Sequence, residues 1–534
     1  MARGGFFSPP YGERMENKSE THAWIRKVIP GITPPSINDN TADVDRLIKG
    51  VRRELEGEAV FVDLSLDRKL PRSLREYGYR VEAVVFRGRG GWHLIDILPR
   101  DTHPEIYGLA VDLGTSTVVI RVLDLMGKEA RAETSFHNPQ IEFGTDILTR
   151  IHVASQDGGL KTLQRRLRDR INSETRQLTQ SLGIPTDAVM GMCAAGNTTM
   201  THLFLGLTPY WICREPYIPV RNTPDLTRAK TLGLAIHPEA PVLVLPNAGS
   251  YVGGDLIAGI LASGMTRGSE TSVLVDVGTN AEVVIGNSEW LMACAGAAGP
   301  ALEGGVAHMG MMAGPGVIDR VRIDPRSGEF LLKTIDNQPP VGMCGSGLID
   351  LVSALFLAGM IDIRGKYVAA NCGNRLIETD GTQHLVVVSA KDSGTGRPLT
   401  LSQPDIDALI RSKAAMYTIL TTISNTVNIP LVEIPRFYIS GTFGSYIDPR
   451  SAITLGMIPD RPLDTYIPLG NTSIEGAGRV LLSSQDKEEI YRIRDRITYL
   501  ELNVNQEFMH LFSAAKFIPH TDRDRFPTVT VRSS

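Results

Sequence analysis

Leu-Ala-Val-Asp-Leu-Gly-Thr-Ser-Thr-Val-Val-Ile at residues 109–120 and Val-Leu-Val-Asp-Val-Gly-Thr-Asn-Ala-Glu-Val-Val-Ile at 273–285 are two versions of one phrase. Both run apolar-apolar-Asp-apolar-Gly-Thr and then return to a β-branched run. Asp112 and Asp276 align 164 residues apart (276 − 112). Each copy reads as a β-hairpin: a strand, an Asp near its end, a Gly-Thr turn and a second strand. One Asp-x-Gly-Thr is a common turn. Two copies at the spacing of a domain, both inside hydrophobic strands, point to a duplicated unit.

The turns suit an anion. Gly114 and Gly278 permit backbone angles that other residues resist, and without a Cβ they let amide N–H groups approach a ligand closely. Successive N–H groups in such a turn form a concave anion site. Thr115, Ser116, Thr117 and Thr279 add hydroxyls, and Asn280 adds an amide. Asp112 and Asp276 beside a polyphosphate require a cation between, and Mg2+ bridges carboxylates to phosphates while keeping waters. The expected metal positions are Asp112 and Asp276.

Bulk properties set limits. The 534 residues call for several domains, and 42% hydrophobic residues supply their cores. A net charge of −4 and 6% aromatics give no sign of a nucleic-acid surface. No apolar run approaches the roughly 20 residues of a membrane span, and residues 1–10 lack the apolar core of a secretion signal. Five cysteines, none as Cys-x-x-Cys, fit a reduced cytoplasmic chain.

Residues 1–23 read as a flexible tail. Residues 24–105 read as a linker and small α/β domain, with a helix capped at Asn40-Thr41 and running to about Leu55, and strands at 80–86 and 92–98. Residues 106–482 alternate strands and helices: helices at 145–154, 159–182, 252–263 and 402–423, and strands at 188–193, 242–245 and 437–440. Residues 483–534 form a C-terminal extension. The fold class expected is α/β layers.

Five elements follow in the order of the nucleotide site of the actin-like ATPases, which the chain resembles: the first hairpin, a helix near Asp255, the second hairpin, the glycine turn with Gly441, Thr442 and Gly444, and a helix near Arg450. The resemblance implies a duplicated RNase H-like core. It places the phosphates on Gly114, Thr115, Ser116, Thr117, Gly278, Thr279 and Asn280, and the adenosine against Gly441, Thr442 and Gly444. Asp112, Asp255 and Asp276 are then the catalytic candidates. Asp255 is the carboxylate that would position or deprotonate the attacking water; an acid in the first turn of a helix is also favoured by the dipole alone. Asn197 reads as a helix N-cap. Glu282 lies across the turn from Asp276, its facing undetermined.

Residues 107–125, 195–206, 245–264, 273–285, 342–351 and the string Ala298-Gly299-Pro300-Ala301-Leu302-Glu303-Gly304-Gly305 together resemble the ATP-dependent reductive activators of corrinoid proteins. The similarity spans roughly residues 24–480. It implies ATP-driven reduction of an inactive cobalt(II) corrinoid to cobalt(I), the state that accepts methyl groups, with a corrinoid protein as partner and a homodimer as the assembly. One departure limits it. Such activators usually carry a ferredoxin-type iron–sulfur domain, and here no cysteine precedes Cys193. No iron–sulfur cluster is therefore expected in this chain, and an external ferredoxin-like donor would supply the electrons. Two alternatives on the same fold are a small-molecule kinase and a nucleotide-dependent chaperone of a cobalamin protein. A third is a dehydratase-type activator, with a cluster held by Cys294 and Cys344. Cys193, Cys294 and Cys344 read as lying at glycine-rich turns, most simply as small buried hydrophobes.

Overall fold

The first hairpin pairs Tyr107–Leu113 with Thr117–Asp124, and Asp112 stands opposite Val119. It sits in a six-stranded sheet. Glu129–His137 flanks it on one side; Val189–Ala195, Pro241–Val244 and the short Thr227–Arg228 follow on the other. The second hairpin, Ser272–Val277 with Ala281–Gly286, sits in another six-stranded sheet. Leu291–Gly296 and Ile497–Tyr499 lie on one side of it, and Phe437–Ser440 and Tyr466–Gly470 on the other. Both sheets share one plan. The hairpin and the strand after it are antiparallel, and the two later strands join the first hairpin strand in parallel. This is the duplicated RNase H-like, actin-like architecture. The computed structural model describes residues 23–102, 104–278, 280–296, 307–324, 327–441, 447–502 and 505–530. Thr279, Thr442, Gly444 and the 298–305 string lie outside the described residues.

Between the sheets runs a pair of helices, Gly254–Ser263 and Thr472–Leu482. Their packing needs small residues: a Cβ on Gly476 would stand 2.4 Å from the Ala258 carbonyl oxygen. The helix Thr472–Leu482 follows the edge strand Tyr466–Gly470 of the second sheet yet packs on the first, where Leu481 meets Gly108. A single apolar cluster therefore draws on both sheets. Ala110, Cys193 and Leu243 come from the first and Leu274, Val284 and Ala293 from the second, with the helix pair between them. Separate clusters fill the outer faces, with Leu109, Val111 and Leu163 in the first half and Val273, Val275 and Ile419 in the second.

The small N-terminal unit is a four-stranded sheet, in the order Ile25–Val28, Val81–Gly88, Gly91–Pro99, Val60–Phe61, covered by helices Asp43–Glu54 and Leu70–Glu76. The first helix begins later than its expected Asn40-Thr41 cap, because Asp39 bonds the Thr41 amide and hydroxyl instead. The unit is seated on the core. The Trp24 indole donates to the Val480 carbonyl at 2.8 Å, and the Lys487 ammonium lies over the Trp24 ring. No described helix is long and apolar enough to cross a membrane.

Candidate functional site

Asp112 and Asp276 occupy equivalent places, one residue before the end of the first strand of each hairpin. Side chains two apart on a strand share a face. Asp112 thus follows Ala110, and Asp276 follows Leu274, on the faces that meet the helix pair. Helix starts bring in the rest. Asn247 accepts the Gly254 N–H at 3.1 Å and so fixes the start of the helix whose first turn carries Asp255. Asn471 caps Thr472–Leu482 through the Ile474 N–H and donates its Nδ2 to Asp112 Oδ2 at 2.8 Å, while the Ser473 hydroxyl donates to Asp112 Oδ1 at 2.8 Å.

Asp112, Asp255 and Asp276 are each deeply set but retain some exposed surface, as groups lining a cleft do. Burial raises all three carboxyls above the usual range. Asp255 is pushed up to about 7 by burial and then by the charges of Asp276 and Asp112, against hydrogen bonds from the Leu256 N–H and its own N–H. Asp276 is pushed up to about 6 by burial and the charge of Asp112, with the Ser440 hydroxyl opposing. Asp112 is raised by burial despite its two donors. No cationic side chain among the described residues contributes to any of these shifts. A hard divalent cation is what such a set of oxygens lacks. Among the described residues no three His, Cys, Asp or Glu side chains are grouped so as to hold a metal ion by themselves.

The first turn is held from beneath. Asn197 does two jobs: its Oδ1 caps helix Thr198–Leu205 and its Nδ2 donates to the buried Thr115 hydroxyl at 3.0 Å. Asn138 and Arg150 bond the carbonyls of Gly114 and Thr115. Gly114 has no room for a side chain, since a Cβ would stand 2.1 Å from the Thr117 carbonyl oxygen. The second turn is closed by the Gly278 N–H donating to the Asn280 carbonyl at 2.9 Å. Gly441, at φ +85°, lies against this hairpin: a Cβ there would meet the Val277 oxygen at 2.5 Å and Asp276 Oδ1 at 3.0 Å. Glu282 stands directly opposite Asp276 in the ladder and so on the same face.

Two expectations change. Cys193 and Cys294 lie inside strands Val189–Ala195 and Leu291–Gly296, not at turns, and burial pushes both thiols up. Cys344 is the N-cap of helix Gly345–Leu357, its sulfur near the Ile318 carbonyl and the Ser346 hydroxyl. All three are buried. Asn471, Ser473, Asn138 and Arg150 were not singled out by the sequence; only the Asn-x-Ser spacing of a helix start at 471–473 signals the first two.

A solved structure described as a reductive activator for corrinoid, iron-sulfur protein matches with a TM-score of 0.88 and 35% identity, over 96% of this chain and 82% of that one. The chain belongs to the RACo family. Three RACo family models cover it in order: the linker region over residues 16–104, the middle region over 107–268, and the C-terminal ASKHA domain over 270–530. The middle-region match begins at the first residue of the first hairpin, and the ASKHA match two residues before the second. The corrinoid activation enzyme RamQ of Eubacterium limosum is 29% identical over 444 residues, 82% of this chain and 74% of that protein. The [Co(II) methylated amine-specific corrinoid protein] reductase of Methanosarcina barkeri is 22% identical over 440 residues, 76% of each. The RACo ASKHA domain gives the chain a nucleotide-binding class; Asp276 lies in that domain, and Asp112 and Asp255 lie in the middle region.

Proposed function

We propose that this chain hydrolyses ATP to drive reduction of an inactive cobalt(II) corrinoid, held by a partner protein, to cobalt(I). The observation that carries this is the 35% identity to a reductive activator over 96% of the chain; the carboxylate-lined cleft supports it. The triphosphate would lie between the two glycine turns, on Gly114, Thr115, Ser116 and Thr117 from one side and Gly278, Thr279 and Asn280 from the other. Asp112 and Asp276 would hold Mg2+, which neutralises phosphate charge and orients the terminal phosphoryl group. Asp255, with its carboxyl raised toward neutrality, would take the proton of the attacking water. A largely apolar cavity of about 270 Å³ beside the Gly441 turn, with Val277, Ile439, Ile447, Pro449 and Arg320 in its wall, is where we place the adenine.

In this reading residues 24–105 are the small domain, 106–482 the ATPase core and 483–534 an extension. The electron comes from an external ferredoxin-like donor, and the chain works as a cytoplasmic homodimer on its corrinoid partner. The test is the visible spectrum of a cobalt(II) corrinoid protein mixed with this chain, a reductant and Mg-ATP. Cobalt(I) absorbance should grow with ATP and not with ADP. ATP turnover that rises with a sugar or an acid and ignores the corrinoid protein would instead identify a small-molecule kinase. Tighter capture of the corrinoid protein in ATP, without any change at cobalt, would identify a chaperone.

A further inference from the structure

Three consecutive peptide carbonyls in the first turn are held from one side. Asn138 donates Nδ2 to the Gly114 carbonyl at 2.9 Å and its backbone N–H to the Ser116 carbonyl at 2.9 Å. Between them, Arg150 Nη2 donates to the Thr115 carbonyl at 2.7 Å. In a planar trans peptide the C=O and the following N–H point in opposite directions. Pinning the Gly114 and Thr115 carbonyls therefore aims the Thr115 and Ser116 N–H groups away from Asn138 and Arg150. Neither N–H has a partner among the described residues. Two adjacent free N–H groups aimed the same way make a nest for an anion.

Arg150 has no exposed surface. Its remaining contacts are also neutral: the Gly144 carbonyl at 2.8 Å, Gln140 Oε1 at 3.5 Å and the Met200 sulfur at 3.3 Å. No carboxylate among the described residues lies within ion-pair distance of it. The acid that acts on it, Asp146, is exposed and caps its own helix through the Thr149 amide and hydroxyl. A fully buried arginine is rare unless paired, because an uncompensated charge is costly to desolvate. Burial draws this guanidinium down to about 10, so it stays protonated at neutral pH. The fold retains a positive charge directly beneath the turn and leaves it uncancelled.

We propose that Arg150 is a positioning residue for the triphosphate: with Asn138 it sets the Thr115 and Ser116 amides toward the cleft, and it supplies the charge that an anion in the nest completes. The proposal rests on the nucleotide reading given above. Its test is calorimetric titration of wild type, Arg150→Lys, Arg150→Met and Asn138→Asp with Mg-ATP and, separately, with adenosine. Arg150→Met should weaken ATP about tenfold or more and leave adenosine unchanged, as expected for loss of a charge-assisted contact. Arg150→Lys should recover part of the loss, because it keeps the charge without the fork. Asn138→Asp keeps the acceptor for the Gln140 N–H and loses the donor to Gly114, and it too should weaken ATP alone.

Equal loss of ATP and adenosine in Arg150→Met would mark a structural role and overturn the proposal. So would unchanged ATP affinity in a folded Arg150→Met. Where Arg150 variants do not fold, unchanged ATP affinity in Asn138→Asp overturns it. Wild-type protein that binds adenosine and ATP equally, or neither, refutes the nucleotide reading before any variant is measured.

Discussion

Asp112 and Asp255 differ in what holds them, and that difference separates their expected roles. Asp112 is fixed by two side chains of another helix, Asn471 and Ser473; among the described residues the donors given to Asp255 are backbone N–H groups of its own turn, those of Leu256 and of Asp255 itself. A fixed carboxylate suits a cation site, and a sparsely bonded one with a raised pKa suits proton transfer. Asp112→Ala or Asp276→Ala should abolish Mg-ATP hydrolysis in a phosphate-release assay and keep the native circular dichroism spectrum. Asp255→Asn should lower turnover by about 10²–10⁴, the usual range for a lost acid–base group, while ATP affinity stays within a factor of two or so of wild type. Without Mg2+, the raised carboxyls also set a pH dependence. Between the ordinary carboxylate range near 4 and the folded values of about 6 and 7, the native state holds more protons than the unfolded state. The contribution of these two acids to stability should therefore fall as pH rises from 4 to 7, while His93, His202 and His520, lowered by burial, contribute in the opposite sense over the same window. Asp255→Asn should remove its share of that fall, and Mg-ATP should oppose it; a metal-free melting-point difference, wild type minus Asp255→Asn, that does not fall across this window would contradict the carboxylate cluster. These three acids were legible because two belong to a repeated phrase and the third starts a helix between the copies. Asn471 and Ser473 were not, because the contacts that define them span 359 and 361 residues. Arg150 was hidden for a similar reason: nothing local marks one arginine of a helix as buried.

Among elements, legibility followed the apolar pattern. The helix Gly159–Leu182 was read to the residue because its apolar positions recur with helical period between two glycines that end it. Strand Glu129–His137 was not read, since it is an exposed edge strand whose Glu-Ala-Arg-Ala-Glu start carries no buried alternation. Helix Thr472–Leu482 was missed because Gly476 and Gly478 resemble breaks. In an isolated helix Gly476→Ala should stabilise by roughly 1 kcal/mol from propensity alone. Here the added Cβ would stand 2.4 Å from the Ala258 backbone oxygen, and no rotamer change relieves a backbone clash. Overpacking of this kind costs about 1–3 kcal/mol, so the contact outweighs the propensity. Gly476→Ala should lower the urea midpoint and slow ATP turnover, because the same helix carries Asn471 and Ser473 at its start. A higher midpoint would mean that the helix pair is packed more loosely than the geometry requires.

At the scale of the whole molecule, one cluster joins three parts that the sequence reads as separate. Trp24, Ile25, Val84, Phe86 and Ile95 of the small unit belong to the same apolar cluster as Ala110 and Leu243 of the first sheet and Leu274 and Val284 of the second. Trp24 has no exposed surface and is bonded to Val480 at the far end of the helix whose start holds Asp112. A small domain tethered only by a linker would melt by itself, and its mutations would leave the core's transition in place. A small domain sharing a cluster with the core has no such independence. Truncating a buried aromatic costs about 3–5 kcal/mol, and here that loss falls on an interface as well as on one unit. Trp24→Ala should therefore shift the main calorimetric transition downward, not split off an early one. Hydrogen exchange should accelerate together in strand Ile25–Val28 and in the last turn of Thr472–Leu482. A new low-temperature transition confined to residues 24–102, with the rest of the profile unmoved, would show the small unit to be an appendage and remove it from any coupling to the carboxylate cleft.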